Sequence, residues 1–169
     1  MGSEKALEEI VVELLARLHM TVTTAESCTG GLIAATLVNV SGASDVLREG
    51  FITYSNEAKE RLVGVRRETL ETYGAVSYQT AEEMARGAAK AACAQAALSA
   101  TGIAGPGGGT KEKPVGLVYI GCYVKGQVRI KECRFTGNRM ENRLHTVQTA
   151  LELLKETLEK EEKLVQSTD

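Results

Sequence analysis

The sequence predicts an α/β fold: a three-layer α/β/α sandwich on a mixed, mostly parallel sheet with one β-hairpin. Three observations lead there. Strand-like and helix-like segments alternate along most of the chain, the pattern that builds parallel sheets covered on both faces. Gln95-Ala-Ala-Leu-Ser-Ala-Thr101 is small or apolar on both faces, as a central strand must be. Residues 115–124 and 128–135 read as two long strands joined only by Lys125-Gly126-Gln127, a hairpin.

The 169 residues fit one domain, with a core over about 5–158 and a polar, frayed tail over 159–169. Apolar content of 43% and charged content of 25% are ordinary for a globular protein. A net charge of −2 argues against a dedicated nucleic-acid binder, which should be basic. No run approaches the ~18 apolar residues of a membrane span, and the acidic, amphipathic N-terminus is unlike a signal peptide. The expectation is a cytoplasmic protein with no membrane or nucleic-acid partner. Cys28, Cys93, Cys122 and Cys133 form no Cys-x-x-Cys pair; the last three read as small core residues, and no disulfide framework is expected. His19 and His145 are far apart, so a histidine-rich metal site is nearly excluded, and neither metal nor other cofactor is expected.

Taken in order, Leu7, Ile10, Val11, Leu14, Leu15 and Leu18 share one face of a first helix, opposite Glu4, Glu8, Glu9 and Glu13. His19 follows it as a surface residue near the helix C-terminus. Residues 21–25 alternate β-branched and small residues, a short strand. Gly30 and Gly31 then allow a sharp turn, and Leu32-Ile-Ala-Ala-Thr-Leu-Val38 resumes as helix. Glu26, Ser27, Cys28 and Thr29 thus occupy a strand-to-helix junction, where α/β proteins place ligands. Helix capping by Ser27 or Thr29 accounts for them equally well at this stage.

Gly50-Phe-Ile-Thr-Tyr-Ser55 is a second strand running into a two-turn helix, with Asn56 as N-cap and Gly64 as C′ residue. Lys59 then falls at N3, where the helix dipole disfavours a cation and lowers its pKa; an ordinary surface lysine is the alternative. A short helix over 66–73 ends at Gly74, and an Ala-rich helix covers 79–94. Beyond the central strand, Thr101-Gly-Ile-Ala-Gly-Pro-Gly-Gly-Gly-Thr110 lacks the Lys of a Walker A loop. It either presents backbone N–H groups to an anion or carbonyl, or is a flexible surface loop. The C-terminal helix carries Leu144, Val147, Leu151, Leu154 and Leu158, core packing that is also long enough for a dimer or small-ring face.

If the strand ends near Ser27, Ser55 and Thr101 share one sheet edge, then Ser27, Lys59 and the Gly-rich loop converge. Thr24-Ala-Glu-Ser-Cys-Thr-Gly-Gly31, Thr53-Tyr-Ser-Asn-Glu-Ala-Lys59, Gly74-Ala-Val-Ser77 and Thr101-Gly-Ile-Ala-Gly-Pro106 with Lys113-Pro-Val-Gly116 closely resemble the C-terminal domain of the competence/damage-inducible protein CinA. That family includes stand-alone nicotinamide-nucleotide amidases (NMN deamidases). The likeness covers about residues 5–158, with several motifs in the right order.

The resemblance implies hydrolysis of nicotinamide mononucleotide to nicotinate mononucleotide and ammonia, within pyridine nucleotide recycling and without a metal. It implies a serine nucleophile at Ser27, assisted by a lysine at Lys59. Amide hydrolysis needs a nucleophile, a base and oxyanion donors, and these residues can supply them. Tyr54 is expected as a third catalytic residue, and Tyr54, Ser55 and Asn56 to flank and orient the lysine. Substrate contacts are expected from Glu26, Cys28, Thr29, Gly30, Gly31, Ser55, Asn56, Thr101, Gly102, Gly105 and Gly107. Arg139 and Arg143, at i and i+4, either grip the phosphate or are solvated surface residues. Two other readings stay open. One is a thiol amidase using Cys28 with Glu26 and Lys59. The other is a catalytically silent nucleotide-binding or regulatory module, since this domain is usually attached to another in CinA proteins. Against that module, an independent enzyme is the expectation, since both Ser27 and Lys59 are present.

Overall fold

The computed structural model describes residues 2–168. Five strands form one mixed sheet in the order β2-β1-β3-β4-β5. They are β1 (Val22–Glu26), β2 (Phe51–Ile52), β3 (Ala96–Gly102), β4 (Leu117–Val124) and β5 (Gln127–Arg134). β2, β1 and β3 run parallel, with Glu26 beside both Ile52 and Ala100; β4 and β5 complete the sheet antiparallel. The parallel strands therefore end on one edge, as the convergence argument requires. Lys125 and Gly126 make a two-residue hairpin turn with both φ values positive, the type I′ signature that matches strand twist.

Six helices cover the two faces: α1 (Leu7–Arg17), α2 (Leu32–Val38), α3 (Asn56–Val63), α4 (Arg67–Tyr73), α5 (Tyr78–Ala92) and α6 (Arg139–Ser167). The period-2 alternation of strand side chains divides the core in two. Val22, Leu98, Ala100, Val118 and Ile120 pack with Leu15 of α1, Ile33 and Leu37 of α2, and Leu151 and Leu154 of α6. Ala25 and Ala97, on the opposite face, pack with Val63, Leu70, Met84 and Ala88 from the α3–α5 layer. The same alternation sends Glu26 towards α2 and its neighbour Ser27 towards α3.

Several sequence expectations change. The second strand shrinks to two residues, because beyond Ile52 only the Thr53 amide still pairs with Glu26. The C-terminal tail is helical to Ser167, tied by Glu162 to Arg17 and by Glu161 to Lys125; its last residue lies outside the described residues. Val147, Leu151, Leu154 and Leu158 are buried in this chain's own core, so of that stripe only Leu144 is exposed. The stripe therefore gives no dimer face. Cys122 and Cys133 are core residues as expected, but Cys93 is an exposed C-cap with φ 51°.

Helices α3 and α5 meet at a glycine. A Cβ on Gly87 would stand 1.6 Å from the Val63 carbonyl oxygen. Helix propensity alone favours Gly→Ala by about 1 kcal/mol. Steric exclusion wins here, and Gly87→Ala is expected to lower stability by about 1–3 kcal/mol, the usual scale of overpacking. A urea midpoint equal to or above that of the native protein would contradict this packing.

Candidate active site

Ser27 leaves the sheet directly after β1, its amide still bonded to the Ala100 carbonyl. The chain then turns through Gly30 (φ 57°) and Gly31 (φ 103°) into α2, left-handed conformations that a side chain resists. Glu26 holds the far side of this turn. Its wholly buried carboxylate accepts from the amides of Ile33 (2.8 Å) and Ala34 (3.1 Å) and from the Thr24 hydroxyl. An anion there satisfies free N–H groups at the start of α2 and suits its dipole. Glu26 is thus a helix anchor turned away from Ser27, and its expected substrate contact is replaced by that role.

Lys59 reaches Ser27 from α3. Its Nζ lies 3.1 Å from Ser27 Oγ and 2.9 Å from the Thr53 carbonyl oxygen. Ser55, whose hydroxyl accepts from the Ala58 amide at 3.0 Å, is the N-cap in place of Asn56; Lys59 accordingly sits one position later than the sequence suggested. Lys59 is only 1% exposed, whereas Ser27 is half-buried and open on one side. Burial is the first cause of a lysine pKa below its ordinary value, offset in part by Cys28 and Glu57. The direction matches the sequence expectation, but desolvation rather than the helix dipole leads it.

A neutral amine suits these contacts. One N–H donates to the Thr53 carbonyl, which leaves the nitrogen lone pair to accept from the Ser27 hydroxyl. Thr53, unnoticed in the sequence beyond its motif, therefore orients the Lys59 amine. Its own hydroxyl and that of Thr29 are buried without a hydrogen-bond partner among the described residues. Both flank the dyad.

Cys28 is buried, and that burial pushes its thiol up to about 12, the opposite of what a thiolate nucleophile requires. The Ser27 hydroxyl, not the Cys28 thiol, is bonded to the lysine. Tyr54 is 62% exposed; its hydroxyl accepts from Arg139 Nη2 at 3.1 Å, and no hydrogen bond joins it to Ser27 or Lys59. Asn56 is exposed on the first turn of α3. The Thr101 hydroxyl is spent on the Ala75 carbonyl (2.7 Å), bracing the loop before α5.

The Gly-rich segment is held, not free. Gly102 approaches Leu117 and Val118 too closely for a Cβ, and Gly105 (φ 88°) does the same against Val115. Asn142 of α6 donates to the Ala104 carbonyl and accepts from the Gly137 amide, both at 3.0 Å. The sequence did carry a sign of this residue: Asn142 precedes Thr146 by four on the buried face of α6. Gly107 remains exposed with open space around it. Arg139 Nη1 donates to the Gly105 carbonyl at 2.8 Å. Arg143 donates through Nε to the Cys28 carbonyl and through Nη2 to the Thr29 carbonyl, each at 3.0 Å. Arg143 is partly buried and spent on backbone, whereas Arg139 is exposed at the surface while bonding the Gly105 carbonyl and the Tyr54 hydroxyl.

A cleft of about 500 Å³ opens beside Arg139, lined by Ala104, Pro106, Val115, Asn138 and Met140. Neither this cleft nor a hollow of about 650 Å³ between α3 and α5, lined by Leu62, Arg66, Glu83 and Gly87, is lined by Ser27 or Lys59; the cleft is linked to the Tyr54 hydroxyl through Arg139. Among the described residues no three His, Cys, Asp or Glu side chains gather as a metal centre needs. No helix among them is long and apolar enough to cross a membrane.

The family model of the CinA C-terminal domain matches residues 4–158. The chain belongs to that family. It is 55% identical over 155 residues to a putative competence-damage inducible protein of Clostridium novyi, covering 92% of this chain and 37% of that protein. It is 54% identical over 155 residues to a CinA-like protein of Kosmotoga olearia, covering 92% of this chain and 38% of that one. The chain thus spans well under half the length of these curated relatives. The solved competence/damage inducible protein CihA of Agrobacterium tumefaciens is 47% identical with a TM-score of 0.87, covering 94% of this chain and 99% of that one. A CinA superfamily protein of Klebsiella pneumoniae is 36% identical with a TM-score of 0.88, covering 91% and 96%.

The buried lysine of this CinA domain has a thermodynamic consequence. Because its folded pKa is depressed, the unfolded chain takes up the proton more readily. The resulting destabilisation is full below the folded pKa and vanishes as pH rises to the ordinary lysine value. Lys59→Met removes it. The stability difference between Lys59→Met and native protein is expected to favour the variant most at pH 6 and to shrink towards pH 10. A difference that stays constant, or grows with pH, would show that Lys59 is not desolvated in the folded state.

Proposed function

We propose that this CinA domain hydrolyses the carboxamide of a pyridine mononucleotide, nicotinamide mononucleotide, releasing ammonia and nicotinate mononucleotide. The observation that carries the reading is the 3.1 Å contact between a buried, pKa-lowered Lys59 and a half-exposed Ser27. Burial lowers the pKa of Lys59, which brings its amine closer to service as a general base near neutral pH.

In this mechanism Lys59 takes the Ser27 proton as Oγ attacks the carboxamide carbon. The carbonyl oxygen becomes an oxyanion facing backbone N–H groups of the Cys28–Thr29 turn. The amides of Cys28 and Thr29 have no acceptor among the described residues and are available for it. Lys59 then returns its proton to the leaving nitrogen, so ammonia departs and an acyl-serine remains. Water, deprotonated by the same amine, releases the carboxylate and restores Ser27. The cleft beside Arg139 offers room for the ribose phosphate, and Arg139, at its wall, is the cation for it.

Ammonia release should be far faster from the mononucleotide than from the riboside, because binding energy from a remote phosphate helps to position the reacting amide. Ser27→Ala and Lys59→Met should each lose about 10³-fold or more in kcat, with the double variant little worse than either. Cys28→Ala should keep most activity. For native protein, kcat/KM should rise with pH through the Lys59 pKa and level off below the ordinary lysine value. Turnover that persists in Ser27→Ala would remove the serine mechanism. Binding of the mononucleotide without turnover of any carboxamide would leave a silent binding module.

A further inference from the structure

Arg143 reads in the sequence as a phosphate clamp, but its donors are turned inwards. Nε and Nη2 bind two successive carbonyls, those of Cys28 and Thr29, directly after the nucleophile, at 3.0 Å each. A guanidinium is a rigid planar fork, so it fixes both peptide planes together. The Ser27 carbonyl is held separately, by the Gly30 amide at 3.1 Å.

A trans peptide points its N–H opposite to its own C=O. Pinning the Ser27 carbonyl therefore aims the Cys28 N–H the other way, and pinning the Cys28 carbonyl does the same for the Thr29 N–H. Neither amide has an acceptor among the described residues, and in this turn the same holds only for Gly31 beyond them. Two adjacent, similarly aimed N–H groups form a concavity that suits a developing negative charge. We infer that Arg143 is a positioning residue for the oxyanion donors of Ser27, rather than a group that grips the substrate phosphate: through the Cys28 carbonyl it aims the Thr29 N–H, and through the Thr29 carbonyl it holds the peptide whose Gly30 N–H pins the Ser27 carbonyl and so aims the Cys28 N–H. This deepens the amidase reading and rests on it for the identity of the substrate, though the geometry applies to any acyl group that Ser27 accepts.

The surroundings agree. The turn has no side chain at Gly30 or Gly31 to stiffen it, and a Cβ on Gly30 would lie 3.7 Å from Arg143 Nη2, so the guanidinium closes over bare backbone. Arg143 is anchored on a long helix whose own start carries a full capping box, Asn138 with Glu141. Asn142, the preceding residue, bolts that helix to Gly137 and Ala104. The fork therefore stands on one of the better-held parts of the fold.

The test compares Arg143→Met and Arg143→Lys with native protein. Three readouts are taken: kcat and KM for nicotinamide mononucleotide, the same for nicotinamide riboside, and the rate at which Ser27 is acylated by p-nitrophenyl acetate. The inference predicts that Arg143→Met loses about 10²–10³-fold in kcat, the scale of one lost oxyanion donor, equally for mononucleotide and riboside, with KM little changed. Ester acylation should fall in parallel. Arg143→Lys keeps the charge but can hold only one carbonyl, so it should recover only part of the rate. A phosphate clamp gives the opposite pattern: a raised KM confined to the mononucleotide, normal ester acylation, and near-complete rescue by lysine, which binds phosphate as a point charge. That pattern, or unchanged kinetics, overturns the inference. Should Arg143→Met not fold, Arg143→Lys decides by the same split. Native protein that is acylated by the ester but releases no ammonia would sink the amidase reading alone, with the ester rates still judging Arg143; native protein that is not acylated sinks both.

Discussion

The contact between the buried amine of Lys59 and the hydroxyl of Ser27 is what the other features of the site serve. An amine removed from water loses the hydration that favours its charged form, and Cys28 and Glu57 restore only part of that preference. Its two hydrogen-bond partners are a carbonyl oxygen and a hydroxyl, which a neutral amine can satisfy as donor and acceptor. The sheet makes this arrangement possible. Parallel strands β1 and β2 end side by side, so the chain leaving β1 carries Ser27 and the chain leaving β2 carries Thr53 and then α3 with Lys59. Strand alternation decides the rest, since Ser27 faces α3 only because Glu26 faces α2.

The turn that bears Ser27 is held by polar side chains placed outside it. Glu26 binds amides beyond the glycines, and Arg143 binds carbonyls before them. Both groups are opposite in sign to the backbone dipoles they meet. Gly30 and Gly31 allow the sharp path but cannot stiffen it, and these two side chains supply the rigidity. Oxyanion stabilisation of the kind proposed depends on donors that need not reorganise during the reaction.

Much of this was legible from the chain. The hairpin, the central strand, the strand-to-helix junction and the meeting of Ser27 with Lys59 follow from periodicity, glycine placement and the shared direction of parallel strands. What eluded the sequence were choices between equivalent partners. Glu26 and Ser27 are adjacent polar residues, and only sheet alternation tells which faces the lysine. Ser55 and Asn56 are both good caps, and the backbone took the first. Arg143 and Arg139 lie on one helix face, yet whether a guanidinium meets a ligand or a carbonyl depends on side-chain reach across 115 residues of intervening chain, which no local pattern encodes. The Leu stripe of α6 failed as a dimer face because α1 and the sheet already cover it.

The most direct measurement is the titration of Lys59 itself, followed through the ¹³Cε chemical shift of labelled lysine in native protein, with Lys59→Met assigning the resonance. The account predicts a single lysine titrating below the others, and a shift of that pKa when Ser27 is replaced by alanine. If Lys59 titrates together with the surface lysines at the ordinary value, the amine is not held neutral, and the catalytic role given to it here is wrong.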